Sequence, residues 1–452
     1  MLFSSLTFLF YFLPAVILIH WFLPEKWQNP FLFAASLVFY AWGEIRYVPL
    51  FFALLALDYA LGRLIGQAQH QAARRWLLAA GIAADIGALL YYKYSGFLLG
   101  ALGLGGRFNS PGSLPLGISF FTFQAVGYLV DVYRRKTEAE NNVFAFGTFL
   151  FLFPQLIAGP IVRYSNLKTV LHTHRKPPAD ALDKGMALFI AGLASKVLLA
   201  NPLGALSTEL HAAAGDSACQ WMHLVAYTLH IYFDFWGYSV MALGMGRMLG
   251  FTFPKNFDHP YASASISEFW RRWHITLGGW FRDYVYIPLG GSRKSTARTL
   301  LNTLIVWFLS GFWHGAGWNF ILWGLWFFVA LIIDRHILKP LRLPSIVRRL
   351  FMILCVVTGY ALFSAESLQE AGTTFAALFS FRSGGTVLFW LRENILLLAV
   401  SLACCVPAVI EGGKRLLSRH TILRCITMTA VLLLCLAALA KSSYNPFIYF
   451  RF

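Results

Sequence analysis

Residues 301–333, LNTLIVWFLSGFWHGAGWNFILWGLWFFVALII, are two apolar runs joined through Ser310-Gly311-Phe312-Trp313-His314-Gly315-Ala316-Gly317-Trp318. Both runs read as helices in a bilayer, and the junction between them carries a single imidazole. A polar side chain at membrane depth is costly and faces protein or a wet cavity, while neighbouring glycines allow close approach of a substrate or another backbone. Two readings of His314 stay open at this point. It could be a packed histidine hydrogen-bonded between helices. It could also be a proton acceptor, because an imidazole that titrates near neutrality can take the proton of an attacking hydroxyl, which acyl transfer from a thioester requires.

Working outward, the whole chain has the same character. Its 452 residues are 58% hydrophobic and 13% charged, with a mean hydropathy of +0.61. That is about half the charged fraction of a soluble domain. The stretches 2–23, 76–99, 224–249 and 422–439 approach or exceed the roughly 18 to 20 apolar residues that span a bilayer. In all, about eleven to thirteen hydrophobic segments are legible, with no internal repeat, and they define an all-α polytopic membrane protein read as one domain, 1–452. The first segment lacks a basic leader, and Pro24, Glu25 and Lys26 follow it in place of a small-residue cleavage site, so it is expected to stay as a helix. The six cysteines show no metal-ligand spacing and are expected to be small buried hydrophobes; no metal site is expected.

A net charge of +17 would suggest nucleic acid in a soluble protein. Here the basic residues fall between apolar segments, at 69–75, 134–136, 163–184, 271–298, 335–349 and 414–424, and the positive-inside rule accounts for them without nucleic acid. Strict alternation of crossings cannot put all these loops on one side, so some segments must be re-entrant or interfacial. If 69–75 is cytoplasmic, the N-terminus faces outward. Residues 251–299 are too polar to span and too aromatic for a solvated loop, and they are punctuated by Pro254, Pro260, Pro288 and Gly290-Gly291. They are expected at the interface or inside a cavity.

That segment contains Glu268-Phe269-Trp270-Arg271-Arg272-Trp273-His274, whose aromatics, paired guanidinium groups and imidazole suit headgroup depth and anionic phosphates. An interfacial anchor helix with arginines snorkelling to lipid phosphate is the simpler alternative. Tyr232-Phe233-Asp234-Phe235-Trp236-Gly237-Tyr238 puts a carboxylate inside an apolar run, where Asp234 could orient an imidazole or pair with an arginine; Asp58, Asp85 and Asp131 are similar singletons for which structural pairing is expected.

Taken in order, several stretches resemble one family. They are Leu114-Pro115-Leu116-Gly117-Ile118-Ser119-Phe120-Phe121-Thr122-Phe123-Gln124, Phe153-Pro154-Gln155-Leu156-Ile157-Ala158-Gly159-Pro160, Tyr232-Phe233-Asp234-Phe235 and Asn256-Phe257. The series continues through Ser267-Glu268-Phe269-Trp270-Arg271-Arg272-Trp273-His274, Trp280-Phe281-Arg282-Asp283-Tyr284, Trp313-His314-Gly315 and Tyr444-Asn445-Pro446-Phe447-Ile448-Tyr449-Phe450. Together they resemble the membrane-bound O-acyltransferases, in particular the bacterial branch of alginate O-acetylases and peptidoglycan O-acetylation subunits.

The resemblance implies a ring of tilted helices around a thinned centre with a tunnel through it. It implies that His314 is the catalytic histidine and His274 the second one. It also implies that Asn256, Trp270, Arg271, Arg272, Trp273, Arg282, Asp283 and Trp313 line the tunnel or meet the acyl donor, with Asp234 a structural polar group in the membrane. Acetyl-coenzyme A is then the donor substrate, with no bound cofactor. The expected partners are a cell-surface polysaccharide acceptor, a periplasmic serine-dependent, esterase-like acetyltransferase and the lipid bilayer of a bacterial inner membrane. Two departures bear on acceptor and partner contacts: relatives usually read Phe-Ser-Gly-Tyr-Ser-Asp where this chain has Phe235-Trp236-Gly237-Tyr238-Ser239-Val240, and Phe-Arg-Ala where it has Phe363-Ser364-Ala365. A multi-pass transporter or flippase would also carry scattered intramembrane carboxylates, but gives no reason for the two histidine motifs. A non-catalytic scaffold predicts that His314 is replaceable.

Overall fold

The computed structural model describes residues 1–104, 113–157, 159–173, 177–212, 216–382, 384–441 and 447. Ala158 of the 153–160 stretch and all of the 444–450 stretch except Phe447 lie outside the described residues.

A chain this apolar must satisfy its backbone within each segment, which in a bilayer selects helices. The described residues accordingly form helices and no strands. Six of these are long and apolar enough to cross a membrane: Glu25–Gln67, Ala181–Ala212, Trp318–Leu338, Ser345–Ser364, Val387–Cys404 and Thr421–Lys441. Phe8–Phe22 and Ile118–Tyr133 are shorter apolar helices. The chain is therefore an all-helical, multi-pass membrane protein. Val387–Cys404 and Thr421–Lys441 bury few side chains, and their exposed Leu388, Leu396, Ile422 and Leu433 present the apolar surface that lipid requires. The cysteines are not uniformly buried: Cys219, Cys355 and Cys435 are, Cys404 and Cys405 are half-buried, and Cys425 is exposed.

The described residues divide into two compact units, Met1–Phe189 with Ser239–Lys255, and Ile190–Tyr238 with Asn256–Phe452. In the first, Val48–Gln67, Gln71–Leu89 and Ile118–Tyr133 pack together, the last buried along nearly its whole length. Gly81 permits this approach, since a Cβ there would meet Leu129 Cδ1 at 2.5 Å. Asp58 and Asp85 lie fully buried on two of these helices, carboxyl facing carboxyl.

In the second unit the 301–333 stretch is a helical hairpin, Thr296–His314 followed by Trp318–Ile333. Its two arms touch at glycines: a Cβ on Gly311 would lie 2.4 Å from the Phe320 carbonyl oxygen, and one on Gly324 2.3 Å from that of Trp307. Asn319 ties the hairpin to the end of Ser345–Ser364, with Nδ2 donating to the Ala365 carbonyl at 2.7 Å. Residues 251–299 are broken into short pieces, notably Ile266–Arg272 and Ile275–Phe281 of 7 residues each. At 1.5 Å per residue each is about 10 Å long, too short to cross hydrocarbon.

Candidate active site

The first of the short helices begins at a side-chain cap. Ser265 Oγ accepts from Glu268 N at 3.1 Å, satisfying an orphan donor of the first turn, and Glu268 Oε2 accepts from Ala264 N, just ahead of the helix, at 2.8 Å. Glu268 also pairs with Arg272 one turn on, at 2.6 Å. The helix thus starts firmly and turns Phe269, Trp270 and Trp273 to one side, while Arg271 is exposed on the other.

Just past its end the chain makes a left-handed residue at His274, φ 43°. Such a conformation costs about 1–3 kcal/mol in a non-glycine residue and needs surrounding support. Asn256 supplies it. Its carbonyl oxygen accepts from Ile275 N at 2.9 Å, and its side-chain Oδ1 accepts from the Thr276 hydroxyl at 2.9 Å, from Thr276 N at 3.3 Å and from His274 Nδ1 at 3.0 Å. The backbone N–H of Thr276 can only donate, so it fixes which atom of the Asn256 amide is oxygen. The tautomer of His274 follows: Nδ1 carries the proton and Nε2 is the acceptor. Complete burial pushes the His274 pKa down to about 3, so the ring is neutral at physiological pH.

His274 and His314 meet at one cavity of about 100 Å³, lined by Trp270, Trp273, Leu277, Gly278, Phe281, Val306, Trp307 and Ser310 besides the two histidines. His314 is the last residue of helix Thr296–His314. Its ring stands edge-on to Trp323, centroids 4.9 Å apart, and packs on Phe363 at 5.3 Å. Trp313 spans the two imidazoles, 4.9 Å from His314 and 6.2 Å from His274, without lining the cavity. At Gly315 the close neighbour is the Phe320 ring, 2.1 Å from where a Cβ would stand.

Of the residues singled out in the sequence, Trp270, Trp273, His274 and His314 come together at the cavity, with Asn256 behind His274 and Trp313 beside both rings. Arg271, Arg272, Arg282 and Asp283 do not line it. Arg272 is engaged by Glu268, and the exposed Arg282 donates through Nε to Asp283 at 2.7 Å, which holds its pKa above the usual guanidinium value. Asp234 pairs with a lysine rather than an imidazole or arginine: Lys196 Nζ lies 2.5 Å from it, both side chains buried. Trp307 and Lys196 were not singled out, and Ser310 was named in the junction without a role. Trp307 and Ser310 had a signal, since positions 307, 310 and 314 share a face of one helix.

Comparison with known proteins gives this arrangement its context. Residues 118–363 match the model of the membrane-bound O-acyltransferase family. The chain is similar to a probable alginate O-acetylase of Azotobacter vinelandii, 41% identical over 399 residues, covering 84% of this chain and 78% of that protein. It is similar to a peptidoglycan O-acetyltransferase of Helicobacter pylori, 34% identical over 82% of this chain and 78% of the relative. A more distant likeness, 29% identity over 48% of this chain and 56% of the relative, is to a teichoic acid D-alanyltransferase of Streptococcus thermophilus. The matched span contains both histidines, the capped helix and the hairpin. The chain belongs to the membrane-bound O-acyltransferase family and is an O-acyltransferase of the membrane.

Proposed function

We propose that the protein transfers an acetyl group from cytoplasmic acetyl-coenzyme A to a hydroxyl on the far side of a bacterial inner membrane, for O-acetylation of a cell-surface polysaccharide such as an alginate-like exopolysaccharide or peptidoglycan. The observation that carries this reading is the convergence of His274 and His314 on one tryptophan-walled cavity of about 100 Å³. The names of the relatives support acetyl as the group and a polysaccharide as the acceptor.

In this mechanism the acceptor oxygen attacks the thioester carbonyl carbon as His314 takes the hydroxyl proton. The C–S bond then breaks, and the coenzyme A thiolate leaves with that proton, giving ester and free thiol. A base with a pKa near 3 is too weak for the first step, so the work divides between the rings. His314 moves the proton, and His274 Nε2 positions a polar hydrogen of the substrates. Trp270 and Trp273 wall the cavity in which the thioester would lie. Arg271 and Arg282, exposed outside the cavity, supply the positive charge for the phosphates of the donor. The immediate acceptor is the serine of a periplasmic esterase-like transferase, or the sugar hydroxyl itself.

The test is donor choice in proteoliposomes. Acetyl-coenzyme A should release its thiol at least tenfold faster than palmitoyl-coenzyme A at equal concentration. Equal rates would contradict a two-carbon site.

A further inference from the structure

The first unit holds a second cavity, larger than the first and unrelated to the histidines. It lies where helices Val48–Gln67 and Ile118–Tyr133 end and Gln71–Leu89 begins, and its volume is about 690 Å³. Its described lining includes five cationic side chains, Arg63, Arg74, Arg135, Lys136 and Lys168, against one carboxylate, Glu138. That carboxylate is already engaged by Lys168 at 2.8 Å. Arg74 is 4% exposed. Its Nη2 caps the end of Ile118–Tyr133 by donating to the carbonyls of Tyr133 at 2.7 Å and Val132 at 3.2 Å. That guanidinium serves the protein's own carbonyls, and the neighbouring Arg63, Arg135 and Lys136 leave a surplus of cationic donors that suits an anion with several oxygens.

A phosphate ester is the chemistry that fits, and the position of the cavity selects its source. The cavity sits at the ends of helices Val48–Gln67 and Ile118–Tyr133, where the apolar runs give way to basic residues. One residue from Arg63 and two from Arg74, on the same helices, Leu64 and Trp76 are strongly exposed, at 49% and 77%. In a bilayer such side chains meet acyl chains and the interface. Basic pockets between membrane helices on the cytoplasmic side take anionic headgroups, and the concentration of positive charge marks this as the cytoplasmic end. We propose that the cavity lined by Arg63, Arg74, Arg135 and Lys136 binds the phosphate headgroup of an anionic phospholipid. The lipid is held there as a resident component of the first unit.

The experiment uses the full chain purified in detergent, exposed to cardiolipin, phosphatidylglycerol or phosphatidylcholine, with retained lipid counted by native mass spectrometry. Wild type should keep at least one cardiolipin or phosphatidylglycerol per chain and shed phosphatidylcholine. The triple variant Arg63→Gln, Arg135→Gln, Lys136→Gln should retain the anionic lipid at least tenfold less. Equal retention by the variant, or equal retention of phosphatidylcholine by wild type, would overturn the proposal. Full displacement of the lipid by millimolar pyrophosphate or coenzyme A would overturn it too, in favour of a soluble phosphate. Tryptophan-monitored unfolding checks the triple variant. Should that variant misfold, the single change Lys136→Glu, at an exposed position, should still lower retention about threefold, and no change would contradict the site.

Discussion

At the scale of the residue, one oxygen organises the candidate site. Asn256 Oδ1 is the shared acceptor for His274 Nδ1, Thr276 N and the Thr276 hydroxyl, and it holds His274 in its left-handed conformation. Asn256→Ala strands those donors in a buried place at roughly 1–3 kcal/mol each, less whatever a water recovers. We expect a fall of several degrees in Tm and at least a tenfold loss of coenzyme A release; a variant unchanged in both would remove Asn256 from the account. His274 itself links stability to pH. Its folded pKa, about 3, lies below the unfolded value of about 6.5, so the unfolded state binds the extra proton between those values. Its contribution is full above about pH 6.5 and is lost as pH falls toward 3, by up to about 1.4 kcal/mol per pH unit. Thermal unfolding at pH 7 and pH 5 should therefore show a larger acid loss in wild type than in His274→Gln. The pairing of Asp234 with Lys196 was not legible in the sequence, because the partners are distant in the chain and neither carries a local signal for the other.

At the scale of the element, geometry decides which motif residues face the chemistry. Trp270 and Trp273 share a face of the capped helix and line the cavity, whereas Arg271, one residue on, is turned about 100° away. Helical periodicity applied to 266–273 makes that division visible, just as it groups Trp307, Ser310 and His314. The hairpin shows what the glycines of the 301–333 stretch are for. Gly311 and Gly324 let the two arms touch, and that contact fixes the height of His314 at the end of its helix. In Gly324→Ala the new methyl group meets the Trp307 carbonyl oxygen, and overpacking of this kind costs about 1–3 kcal/mol. The expected result is a lowered Tm together with a fall in kcat larger than any change in KM; a change in Tm alone would mean the contact is structural and no more. Ser265→Ala, which removes the cap of the Trp270 helix, should cost about 1 kcal/mol by the same unfolding measurement.

At the scale of the whole molecule, membrane character was legible because hydropathy adds up locally and needs no tertiary information. Of the stretches expected to span, 422–439 falls in the crossing helix Thr421–Lys441 and most of 2–23 in the shorter apolar helix Phe8–Phe22, while 76–99 and 224–249 are helical but not among the six crossing helices. The division into two units was not legible, since it depends on contacts between helices far apart in the chain, and two of its three crossings fall inside helices Ala181–Ala194 and Ser217–Met248, the third between Lys255 and Asn256 in a non-helical stretch. Catalysis, on this account, belongs to the second unit, where both histidines and the residues that hold them lie. The most direct test of that claim is release of free coenzyme A from acetyl-coenzyme A by vesicles carrying wild-type protein or His314→Ala, with an acceptor hydroxyl supplied. A positioned base contributes roughly a factor of 10² to 10⁴. The account predicts a loss of at least 100-fold in a variant with wild-type unfolding behaviour, and a well-folded His314→Ala protein that releases coenzyme A at the wild-type rate would contradict it.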